Sequence, residues 1–140
     1  MARKLPALSL KQPWATLVVH GSKTIEVRSW PTELRGWILI HASRQEDERP
    51  VAWKHVADDM AATSQLRGGI IGAAKLVDCI AYPERARFAR DRSRHLNRPD
   101  WFRKPALYGF VLEEARVLPF HKVPGWVKFF DVDARDYRLP

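Results

Sequence analysis

Hydrophobic positions along the chain change period several times, and each change marks an element. Ala7-Leu8-Ser9-Leu10 is short, apolar and alternating, which predicts a first strand. From Pro13 to His20 the spacing shifts: Trp14, Leu17 and Val18 fall at i, i+3 and i+4 and give one apolar helical face. Pro13 suits the first turn of that helix, and Gly21 is placed as its left-handed C-terminal cap. If the chain is extended from Thr24, then Thr24, Glu26, Arg28 and Trp30 line one face while Ile25 and Val27 point to the other. The result is a polar stripe backed by an apolar one, with Lys23 in the preceding turn able to reach Glu26.

Residues 31–36 have turn character, and Trp37 to Ala42 is a continuous apolar run of the length of a buried strand. Trp53, Val56, Ala57 and Met60 then fall at helical spacing within 45–63, which predicts an amphipathic helix there. Gly68-Gly69 ends the pattern, and Ile70 to Ile80 is apolar on both faces, the best candidate for a central strand. Tyr108 to Ala115 resumes strand character, Pro119 and Pro124 interrupt 117–125, and Trp126 to Val132 predicts a last strand. Five to six mostly antiparallel strands with two or three helices around them imply an α+β class, a small, partly closed barrel in a single domain over 1–140.

Charge changes this picture in one place. The net charge is +8, and eight Lys or Arg lie between Arg85 and Lys104 against only Asp91 and Asp100. Such a segment is either a solvated flank or a steering surface for a polyanion. Six Trp in 140 residues supply aromatic surface. The single Cys79 excludes an internal disulfide and a multi-cysteine zinc site and reads as a small core residue. The five His lack metal-ligand spacing and no glycine-rich phosphate loop follows a strand, so no metal or cofactor is expected. Apolar runs are too short for a membrane helix and the N-terminus has no signal region, so a soluble, cytoplasmic, monomeric protein is expected.

Gly21, Lys23, Glu26 and Arg28 match the Gly-x-Lys-x-x-Glu-x-Arg signature of the ASCH family, a branch of the PUA-like β-barrel superfamily. Gln12-Pro13-Trp14-Ala15, Arg28-Ser29-Trp30, Arg35-Gly36, His41-Ala42-Ser43 and Gly69-Ile70-Ile71-Gly72 also resemble stretches of that family, which includes small bacterial members and the C-terminal domain of a eukaryotic transcription coactivator. The resemblance implies binding of RNA or DNA in a cleft beside the signature. A few bacterial members are enzymes, an amidohydrolase acting on acetylated cytidine and a ribonuclease. In the amidohydrolase branch Lys23 has its counterpart, but Glu26 stands where the catalytic Thr would be.

A nucleic-acid site needs cations for phosphates, flat side chains for unstacked bases and fixed groups for base edges. Arg28, Arg35 and Arg44 suit phosphate, Trp14 or Trp30 suits stacking, and Gln12, Glu26, Ser29, His41 and Ser43 suit positioning or readout. Against this stands a structural reading in which Trp14 and Trp37 are core, Trp30 is partly exposed, and Glu26 pairs with Arg28 across the barrel mouth. The hydrolytic alternative uses Lys23 as a charge stabiliser and Glu26 as a proton acceptor in a metal-free cleavage of RNA or of a modified nucleoside. A protein-interaction module using the same cleft is the third class.

Overall fold

Each period-two stretch becomes a strand in the computed structural model, which describes residues 3–140. In chain order the elements are β1 (Lys4–Leu10), α1 (Trp14–Val19), β2 (Ile25–Arg28), β3 (Gly36–Ala42), α2 (Pro50–Trp53), α3 (Ala61–Ser64), β4 (Gly69–Tyr82), α4 (Arg85–Arg90), α5 (Arg92–His95), β5 (Leu107–Lys122) and β6 (Phe129–Asp133). The six strands form one sheet in the order β2-β5-β4-β3-β1-β6. All neighbours are antiparallel except β1 and β3, which run parallel because the chain crosses over through α1 and β2 between them.

Alternation along the strands sorts two apolar faces. Leu8, Leu10, Ile38, Ile40, Ile71 and Phe110 pack with the wholly buried α1 in the main core, while Ala7, Leu39, Ile70, Ala73 and Val132 form a second cluster on the other face. Irregular registers along β4 and at Ile40/His41 of β3 bend the long strands, and the sheet curls around α1 as a half-barrel. Gly72 is the point of closest approach: a Cβ there would lie 2.3 Å from Val19 Cγ1 and 2.4 Å from the Arg116 carbonyl oxygen. Gly21, at φ +81°, ends α1 and donates its N–H to the Val18 carbonyl, turning the chain into β2.

Several expectations change. The helix expected over 45–63 is α2, a 3-10 turn at Asp58–Met60 and α3, because Ala57 is extended (ψ 165°) and breaks the run. Its periodicity still names the inward side chains, since Met60 is buried and Trp53 and Val56 pack on the core. β5 continues through Pro119, which sits in a bulge between the Gly72–Val117 and Ile70–His121 pairs, where its missing N–H costs no ladder bond. The last strand begins at Phe129, and Trp126 and Val127 stand 69% and 86% exposed in the loop before it. Trp37 is half-buried rather than core: its Nε1–H donates to the Pro140 carbonyl (3.1 Å), and Lys75 and Arg116 lie over its ring.

The basic segment is a folded element rather than a loose flank. Phe88 is buried with Tyr82 and Leu107, and the Tyr82 hydroxyl donates to Asp91 at 2.5 Å. His95 Nε2–H donates to the Phe88 carbonyl (2.6 Å) while its Nδ1 accepts the Asn97 N–H (2.9 Å), which makes it a neutral buried imidazole.

Candidate nucleic-acid interface

The signature strand is held from three sides. Thr24 N–H donates to the Arg94 carbonyl (2.9 Å) and Leu112 N–H donates to the Thr24 carbonyl (2.9 Å), while β2 pairs with β5 from Ile25–Val111 to Arg28–Tyr108. Lys23 is 2% exposed. Its ammonium donates to the His95 carbonyl, lies 3.6 Å from Glu26 Oε1 and sits 5.2 Å from the centre of the Trp14 ring. Burial pulls its pKa down to about 8, against the opposing pull of Glu26. Arg28 clips the other side of the same carboxylate, with Nε 3.0 Å and Nη2 2.9 Å from Glu26 Oε2, and Nη2 also donates to the Ser9 carbonyl (2.9 Å).

Above this strand opens a cleft of about 1340 Å³. Its floor is Ser9, Leu10, Glu26 and Arg28; one wall is the loop Ser43 to Arg49, and the rim carries Trp126, Val127 and Lys128. Three tryptophans line it: Trp14, Trp30 and the largely exposed Trp126. Trp30 is braced edge-on against Phe110 and Phe129, with Lys128 Nζ 5.4 Å from its ring centre. Of the four lining acids, Glu26, Asp47 and Glu46 are paired with Arg28, Arg49 and Arg67, and Glu48 has no cation within 4.0 Å among the described residues. Among the described residues Lys11, Arg44 and Lys128 have no carboxylate within 4.0 Å either, so the unpaired groups of the lining are three cations against the one acid Glu48.

Of the residues named from the sequence, Trp14, Glu26, Arg28, Trp30, Ser43 and Arg44 line this cleft together. The others lie elsewhere. Gln12 is fully buried and ties α1 to α3: its Nε2 donates to the Thr63 and Leu66 carbonyls, and its Oε1 accepts from Thr16 N–H and Oγ1. Lys23 lies behind the wall rather than in it. His41 is buried, with its Nε2–H donated to the Val123 carbonyl (2.8 Å) and its Nδ1 2.9 Å from the Ser9 hydroxyl; burial lowers its pKa. Ser29 is exposed outside the cleft lining, and Arg35 donates to the carbonyls of Thr32 and Leu34 and lies 4.0 Å from Asp78.

Sequence reasoning missed Lys11, Arg49, Trp126 and Lys128 of the lining, and above all Asp47. Its carboxylate accepts the Trp14 indole N–H (2.8 Å) and the Arg49 backbone and guanidinium, its carbonyl accepts the Trp53 indole N–H (2.6 Å), and its own N–H donates to the Gln12 carbonyl. Burial alone would raise its pKa, but the Arg49 and Trp14 bonds prevail and hold it down at about 2. Arg49 in turn stacks its guanidinium 3.7 Å from the centre of Trp101. Among the described residues no three His, Cys, Asp or Glu gather as a metal site, and no helix is long and apolar enough to cross a membrane.

The family model of the ASCH domain matches residues 8–117, a span that holds the signature, α1 and most of the sheet. The chain belongs to the ASCH domain family. It is 35% identical over 86 residues to activating signal cointegrator 1 of Mus musculus and 33% identical over 86 residues to the Homo sapiens protein, covering 53% of this chain in each case. This ASCH chain spans only 14% of the length of those relatives. Among solved structures it is similar to ASCH from Zymomonas mobilis, at 20% identity and a TM-score of 0.61, over 84% of this chain and 73% of that one. A variant of that bacterial protein gives 21% identity, a TM-score of 0.61, and coverage of 86% and 77%. At that identity the likeness establishes the shared half-barrel and nothing finer.

Proposed function

We propose that this ASCH domain binds single-stranded nucleic acid, RNA before DNA, in the cleft above the signature strand. One observation carries the reading: Trp14, Trp30 and Trp126 share a single open cleft with Lys11, Arg44 and Lys128, three cations without an acidic partner among the described residues. Flat faces take unstacked bases whatever their identity, and the cations take phosphates. Ser43, Gln45 and Glu48 on the same wall offer groups for base edges or a 2′-hydroxyl. Glu26 and Arg28 serve this reading mainly by fixing the floor, since each is already the other's partner.

Fluorescence anisotropy with matched RNA and DNA oligonucleotides across a salt series tests it. Affinity falls with salt at a log–log slope of about −0.7 for each phosphate engaged. Trp126→Ala weakens binding by about 1–3 kcal/mol, the usual worth of one stacked base, with no change in unfolding temperature because the side chain is mostly in solvent. Arg44→Ala lowers the salt slope by about 0.7. Binding that does not respond to salt or to Trp126→Ala overturns the proposal.

The hydrolytic reading has its own observation, an amine held at about 8 and 3.6 Å from a carboxylate. Its burial behind Trp14 counts against contact with a substrate. Incubation with labelled RNA and with acetylated cytidine in chelator separates the two readings: product that disappears in Lys23→Met makes the protein an enzyme, and retention of RNA without product leaves it a binding module.

A further inference from the structure

A second depression, of about 420 Å³, lies on the basic segment and is lined by Val51, Arg85, Arg92, Arg98, Pro99 and Asp100. Arg98 is paired with Asp100 at 3.0 Å. Among the described residues Arg85 and Arg92 have no carboxylate within 4.0 Å, and both are exposed. Two unpaired guanidinium groups thus share one depression beside the Arg98–Asp100 pair, and guanidinium is the side-chain group best suited to multidentate recognition of a phosphate.

This depression adjoins the cleft. Arg49 lines the cleft, and Val51, two residues on, lines the depression. The Arg49 guanidinium covers Trp101, the last residue of the turn whose Pro99 and Asp100 also line the depression. Trp101 meets Trp14 of the cleft edge-on at 6.1 Å, and His55 lies 6.1 Å from Trp14. The His55 pKa is lowered by burial first, then by the charge of Lys23 and, least, by that of Arg92. Arg49, Trp101 and Trp14 thus join the lining of the cleft, which holds Arg44, to that of the depression, which holds Arg85 and Arg92.

We propose that a nucleic-acid strand held in the cleft continues past Arg49 and Trp101 and places a backbone phosphate on Arg85 and Arg92, so that the basic segment is a second phosphodiester subsite for longer strands. The inference rests on the nucleic-acid reading of the cleft. It differs from general electrostatic attraction in being dependent on ligand length, because a strand that fills only the cleft does not reach the depression.

The experiment compares the full chain with the Arg85→Glu/Arg92→Glu variant on single-stranded RNAs of about 4 and about 16 nucleotides, the span of site sizes known for single-strand grooves. Both positions open short helices, where a glutamate favours the helix end, so the variant is expected to fold. The expected result is an unchanged affinity for the short RNA and a log–log salt slope smaller by roughly 0.7 for each phosphate lost on the long one. Equal loss on both lengths means a diffuse field and overturns the subsite, as does no loss on either. Trp126→Ala, measured in parallel, weakens both lengths if the cleft reading holds. If the unaltered protein binds neither RNA, the cleft reading fails as well.

Discussion

Two carboxylates organise the two walls of the cleft, and they do it in opposite directions. Glu26, on the signature strand, draws Lys23 inward to a site that is 2% exposed and clips Arg28 to the floor. Asp47, in the facing loop, holds two indole N–H groups and projects Arg49 outward over Trp101. The signature therefore puts Lys23 behind the cleft and Glu26 and Arg28, locked to each other, in its floor, while Arg44, Arg49, Trp126 and Lys128 present chemistry to solvent.

The largest effect expected is at Glu26. Glu26→Ala leaves the buried Lys23 with the His95 carbonyl and the Trp14 ring but no counter-charge, and urea unfolding should show a loss of about 3–5 kcal/mol, the usual penalty for breaking a buried pair. A variant that kept its stability and lost only RNA affinity would reverse the comparison. Asp47→Ala is expected to cost about 3 kcal/mol through its charge-assisted bonds, read by thermal unfolding and by the near-ultraviolet dichroism of Trp14 and Trp53.

The smallest effect is a pH dependence shared by both sides. His95 beneath the signature and His41 behind the opposite rim are neutral in the fold, their pKa values lowered by burial. The unfolded chain takes up these protons first, at about 6.5. The histidine contribution to stability is thus complete above that pH and is lost as pH falls toward the folded values. Urea midpoints measured from pH 7.5 down to 5 should decline, with a shallower decline in His95→Asn and in His41→Asn. A midpoint as pH-dependent in the double variant as in the parent would remove the histidines from the account.

What could be read from the sequence was local in origin. Trp37 to Ala42 is a strand because its run of apolar residues has one low-energy use, and Gly21 ends α1 because only its backbone takes φ +81° without strain. The family likeness supplied the half-barrel. The rest depended on partners distant in the chain. Asp47 meets Trp14 across 33 residues, with no spacing to announce it. Pro119 reads as a strand breaker until the bulge between the Gly72–Val117 and Ile70–His121 pairs takes it in. The segment 85–104 looks like a charged flank until Phe88 and His95 find Tyr82.

That segment docks on the signature through main-chain atoms. The acceptors for Thr24 N–H and the Lys23 ammonium are the carbonyls of Arg94 and His95, not their side chains. Arginines along the segment can therefore be recoded one by one, to neutral or to acidic, without dismantling the support of the signature strand. Surface potential and scaffold are separable here, and the domain's preference among ligands is open to retuning by selection or by design at little risk to the fold.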